Sequence, residues 1–269
     1  MCTTCGCGHD EPVVYSPDGA EPPHHHHNHT HNRAHDHGPP TETVTLEQKV
    51  LAKNDAIAER NRDWLIRRGV LALNLTSSPG AGKTTLLERS VRELSAQRPV
   101  CVIEGDQETV LDAERIRAAG ARAVQVNTGA GCHLDADMVR RALDGLEPEI
   151  GSVVFIENVG NLVCPAMFDL GEAAKVVVVS VTEGADKPLK YPHMFAAASL
   201  VVINKMDLLP YVDFDVDTCM AATRALNPSA QIVTLSATTG EGMASWYDWV
   251  ARHDAGPRHG DAVAQAALS

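Results

Sequence analysis

The chain has 269 residues, 44% of them hydrophobic and only 4% aromatic, so its core has to be built mainly from Val, Leu, Ile and Ala in one large domain or two small ones. A formal net charge of −12 without a long Lys/Arg cluster argues against nucleic acid as the main partner, because phosphate binding draws on concentrated positive charge. No apolar run reaches the ~18 residues of a membrane-spanning helix, and the polar start lacks the apolar centre of a secretory signal; a cytoplasmic protein with reduced thiols and no membrane contact is expected.

Residues 1–42 hold nine of the 13 histidines and almost no apolar periodicity, which predicts a disordered segment. It opens MCTTCGC. Nothing so short and polar can bury thiols, and in a reducing compartment clustered cysteines point to metal before disulfide. Cys2, Cys5 and Cys7, with Gly6 and Gly8 letting the backbone wrap, offer three thiolates, with the α-amino group as a further nitrogen. Such a set suits Ni²⁺, and Zn²⁺ would bind too, so the ligands do not by themselves name the metal. Next come His24, His25, His26, His27, His29, His31, His35 and His37. Interruption by Asn, Thr, Arg, Ala and Asp distinguishes this tract from an engineered tag, and it reads as a reservoir of weaker imidazole ligands.

From about residue 43 the apolar residues fall at mostly helical spacing, predicting a helix, broken or not near Asn54, that stops at Gly69. The strand VLALNLTS then leads into SSPGAGKTTLLE, which opens a helix. A phosphate-binding loop needs small residues so that backbone N–H groups point inward, a Lys for the β- and γ-phosphates and a hydroxyl for Mg²⁺. Gly80, Ala81, Gly82, Lys83, Thr84 and Thr85 meet those needs, and the helix N-terminus adds its positive end. Ser77 stands where the first Gly of the usual pattern would be.

Two strand ends carry acids. Asp106 closes PVCVIEGD and Glu157 closes GSVVFIE; together with Thr84 they are candidates for Mg²⁺ and the attacking water, and surface charge is the plain alternative. Glu157 sits where phosphate-loop GTPases usually have Asp in DxxG, and the longer side chain would reach the metal through water. Asn161, not Gln, follows Gly160, so slow intrinsic turnover is expected. Between these acids lie the adjacent Cys132 and His133, and Cys164 comes seven residues after Glu157. Thiolates with an imidazole suit Zn²⁺ or Ni²⁺; two small buried cysteines beside a surface histidine would be the bland alternative. Cys101 and Cys219 read as core residues.

The base is read from VVINKMD. Asn204, Lys205 and Asp207 follow a strand, where a carboxylate accepts the N1 and N2 hydrogens of guanine, so GTP and GDP are the expected nucleotides. Ser236 and Ala237 in SATTGEG stand where such GTPases offer a backbone N–H to the guanine O6. A flexible tail is expected from 253 to 269. The alternation of apolar runs with helical segments predicts an α/β fold over 43–252, a mostly parallel sheet with helices on both faces and ligands at the carboxyl ends of its strands.

Through SSPGAGKTT, IEGDQETVLDAERI, GAGCHLDADMV, IENVGNLVCPA, NKMDLLPY, SATTGEG and the CTTCGC start, the sequence resembles the hydrogenase nickel-incorporation GTPases, the HypB family. That resemblance implies a P-loop GTPase of the dimerising metallochaperone class that delivers Ni²⁺ to the [NiFe]-hydrogenase large subunit with a companion nickel protein, HypA. It also implies that Cys2, Cys5 and Cys7 form the tight nickel site, and Cys132, His133 and Cys164 the nucleotide-responsive one near the dimer interface. The alternatives are a urease-accessory GTPase, and a nickel or zinc buffer whose GTPase is vestigial.

Overall fold

The computed structural model of the chain describes residues 14–15, 40–106, 111–129 and 131–253. The expected N-terminal ligands, Cys2, Cys5, Cys7 and the histidines between His24 and His37, lie outside the described residues, as does the tail from 254.

A long helix, α1 (Pro40–Arg67), precedes the alternating part of the chain. It is continuous through Asn54, and Gly69 ends it with a positive φ of 59°, the left-handed turn that lets Val70 N donate back to Leu65 O. The strands then come as β2 (Leu71–Ser77), β3 (Val100–Asp106), β4 (Arg122–Asn127), β5 (Val153–Glu157), β6 (Ala174–Ser180), β7 (Leu200–Asn204) and β8 (Gln231–Thr234). All seven run parallel, in the order β4-β3-β5-β2-β6-β7-β8, and the short β1 (Val14–Tyr15) lies antiparallel on the β4 edge. The apolar runs are continuous, not alternating, because helices cover both faces of this sheet.

On one face α2 (Lys83–Leu94) and α8 (Met243–His253) pack Leu86, Leu87, Trp246 and Trp249 on Leu73, Leu75, Phe155 and Val178. On the other, α1 and α4 (Ala136–Leu146) bring Leu65, Val139 and Leu143 against Ala72, Ile103, Val124 and Ile156. Further along that face, α6 (Pro192–Ala196) and α7 (Val216–Leu226) cover Val177, Val179, Val201 and Ile203. Cys101 and Cys219 are both buried in these layers, as their sequence context suggested. Asp135 caps α4 by accepting from Met138 N, which fixes where the loop carrying Cys132 and His133 ends.

α1 does more than cover the sheet. Asn54 donates to Asp169 O and accepts from Ala136 N, and Asn61 donates to Ala136 O and Leu170 O. Two buried amides thus tie the start of α4 to the loop after residue 164.

Candidate nucleotide and metal site

The loop between β2 and α2 turns through Gly80 and Gly82, with φ of 76° and 97°. A Cβ on Gly82 would lie 2.6 Å from Asn204 Nδ2, so this glycine is required by close approach as well as by conformation. Asn204, at the end of β7, donates to Ala81 O and accepts from Lys205 N and Ala237 N, locking the phosphate loop, the NKMD turn and the SATTGEG loop together. Lys205 donates to Gly80 O. The amide of Ser236 donates to Glu241 O, so both amides expected near the guanine O6 are engaged within this cluster. Asp207 Oδ1 is buried without a hydrogen-bond partner among the described residues.

A cavity of about 650 Å³ opens along the carboxyl ends of the central strands, lined among others by Lys83, Thr84, Thr85, Asp106, Glu157 and Cys132. Lys83 is buried and donates to Ser77 Oγ, 2.7 Å away; burial lowers its pKa, with Glu157 opposing. Thr84 Oγ1 donates to Glu157 Oε1 at 2.9 Å, a direct contact between the two groups read as Mg²⁺ partners. Burial raises the Glu157 pKa against the pull of Lys83 and Thr84.

Three charged cavity residues were not singled out in the sequence: Glu104, Asp112 and Arg115. Glu104 is 2% exposed in the middle of β3, and its carboxyl is pushed up to about 9, first by burial and then by the charges of Glu157, Asp112 and Asp106. The only signal was an acid inside an apolar run. Glu104 Oε2 and Glu157 Oε2 are both buried with no hydrogen-bond partner among the described residues, a donor set that fits a hard divalent cation such as Mg²⁺.

Cys132 and His133 follow β4, and Cys164 starts a short 3₁₀ turn, Cys164–Ala166, after β5. The structure brings the three together: one ligand atom from each lies within 4.8 Å of the others, with Cys132 Sγ 2.9 Å from Cys164 Sγ and 3.6 Å from His133 Nδ1. All three are half-buried. Burial lowers the His133 pKa, which favours the neutral, metal-binding imidazole, and the ring of Phe168 packs against it, tilted by 34° with the centroids 4.0 Å apart. Asn161, two residues past the glutamate-bearing turn's Val159, donates to Cys132 O and so joins the two sites.

The nucleotide-binding domain of the CobW/HypB/UreG family matches residues 71–234. Hydrogenase maturation factor HypB of Rhizobium leguminosarum is 59% identical over 77% of this chain and 69% of its own length. That of Escherichia coli K12 is 48% identical over 93% of this chain and 98% of its own. The chain belongs to the HypB family. Its domain is a P-loop GTPase, and a crystal structure of HypB from Helicobacter pylori in complex with nickel superposes with a TM-score of 0.70 at 38% identity, over 75% of this chain and 95% of that one. Among the described residues of this HypB-family chain no helix is long and apolar enough to cross a membrane.

Proposed function

We propose that this chain is a GTP-dependent metallochaperone that delivers Ni²⁺ to the [NiFe]-hydrogenase large subunit during maturation. The observation that carries the reading is the convergence of Cys132, His133 and Cys164 at the rim of the nucleotide cavity, which Cys132 itself lines. Three protein ligands leave a coordination position open, as a site that must release its ion requires. GTP is bound by Gly80 to Thr85 and read by Asn204, Lys205 and Asp207, with Ser236 and Ala237 shaping the base pocket. Lys83 neutralises the phosphates, and Thr84, Glu157 and Asp106 hold Mg²⁺. Nickel is cargo at the internal site, where Zn²⁺ has the same ligand preferences. Cys2, Cys5 and Cys7 form a tighter site on a tether, and the histidine tract stores further ions. The protein acts in the cytoplasm as a GTP-dependent homodimer, with HypA as its companion; residues 43–252 form the GTPase unit.

The reading is tested in cells at limiting nickel. With Cys164→Ala replacing the native chain, hydrogenase activity should fall to background while the purified variant keeps its GTP turnover. Maturation at the wild-type level would overturn it.

A further inference from the structure

A line of buried polar side chains runs between the nucleotide cavity and the metal-site loops. Asn74 sits in the middle of β2, fully buried between Leu73 and Leu75 along the strand and in register with Ile156 on β5 and Lys175 on β6. An amide there is costly unless both of its ends are satisfied. Its Nδ2 donates to Glu172 Oε1 at 3.0 Å, and its Oδ1 accepts from Asn158 Nδ2 at 3.3 Å.

Each end of the line reaches a functional loop. Asn158 follows Glu157 and lines the cavity; its Oδ1 accepts from Val159 N and from Leu134 N, the residue after His133. At the other end Glu172 lies 3.7 Å from Lys175 Nζ, which donates to the carbonyls of Pro165 at 2.8 Å and Phe168 at 3.3 Å. Pro165 adjoins Cys164, and Phe168 is the ring packed against His133. Asn74, Asn158, Glu172 and Lys175 are all buried.

We propose that Asn74, Glu172 and Lys175 are positioning residues that couple nucleotide state to the geometry of the Cys132, His133 and Cys164 site. The inference rests on the reading of those three residues as the nickel site. A shift of the loop after Glu157 on nucleotide exchange pulls on Asn158. The line can follow only by moving Glu172 and Lys175, because breaking it strands a buried amide or a buried charge. Lys175 then repositions Cys164 and, through Phe168, His133. The α1 amides Asn54 and Asn61 also hold both loops, but their partners are backbone groups outside the cavity lining; they fix the loops without sensing the nucleotide.

Binding linkage supplies the test, since the factor by which nucleotide alters metal affinity must equal that by which metal alters nucleotide affinity. Affinities of the full chain for GDP and for a non-hydrolysable GTP analogue are measured by calorimetry with and without Ni²⁺, in wild type, Cys164→Ala, Asn74→Leu, Lys175→Met and Lys175→Arg. In wild type Ni²⁺ should change the ratio of the two affinities by about five- to a hundredfold, and Cys164→Ala should abolish the change. Asn74→Leu and Lys175→Met should still bind both nucleotides yet lose most of that change, while Lys175→Arg, which keeps charge and donors, retains it. If Asn74→Leu fails to fold, the Met and Arg variants at 175 decide on the same readout. A change of wild-type size in Asn74→Leu or Lys175→Met overturns this inference alone, because a merely structural role would alter both affinities in proportion. A wild-type ratio indifferent to Ni²⁺ overturns the metallochaperone reading as well.

Discussion

At the scale of single residues, the chemistry is divided between groups that had to be where they are and groups that converge only in the fold. Lys83 belongs to the first kind: its ammonium is buried beside Glu157 and parked on Ser77, ready for a phosphate. Lys83→Ala should therefore lower GTP turnover by about 10²–10³-fold and leave nickel binding at the cysteine sites unchanged, as measured by phosphate release and metal titration on the same sample. Loss of metal binding in the folded variant would contradict the separation of the two sites. Glu104 belongs to the second kind. Its folded pKa, pushed up to about 9 from an ordinary 4.5, means that between these values the folded chain keeps a proton that the unfolded chain has released. By linkage, stability falls as pH rises through that window. Glu104→Gln removes the effect. In urea unfolding without nucleotide or divalent cation, the variant and wild type should be nearly equal around pH 4.5, with the variant gaining steadily toward pH 9; a difference independent of pH would be the contrary result. The phosphate loop and NKMD turn were legible in the sequence because their residues are consecutive. Glu104, Asp112 and Arg115 were not, since what makes them a site is the meeting of β3 with α3 (Leu111–Ala118).

Among the elements, the strands were legible as apolar runs because two-sided burial leaves no room for alternation. Their order was not, as nothing local in the sequence states that β2 lies between β5 and β6. Asn54 shows a different limit. As a polar residue in a helical stretch it reads as a candidate break, yet it is an interior position whose amide serves Asp169 O and Ala136 N. Buried amides such as Asn54, Asn61 and Asn74 carry no periodic signal; each is explained only by a partner far away in the chain. The contact of α1 with the metal-site loop is correspondingly close at Gly171, whose φ is 90° and where a Cβ would lie 2.6 Å from Ala58 O and 2.8 Å from Arg62 N. Gly171→Ala should cost about 2 kcal/mol or more, read from urea unfolding, by forcing α1 off the loop. A cost below about 0.5 kcal/mol would show that α1 does not clamp it.

For the whole molecule, the proposed function makes one GTPase domain the controller of an ion held at its cavity rim, with the N-terminal segment as a supply. Removing residues 20–38 should lower the number of Ni²⁺ ions held per chain by several, counted at saturation, and leave GTP turnover within about twofold of wild type. Turnover that falls in step with ion capacity would contradict a storage role. The central claim, that nucleotide sets the grip on metal, is tested most directly by Ni²⁺ affinity of the metal-free chain without nucleotide, with GDP and with a non-hydrolysable GTP analogue, repeated on Cys164→Ala. Affinities should differ between the GDP and GTP-analogue states by about fivefold or more, with the difference gone in the variant. Equal affinities in all three states would contradict it.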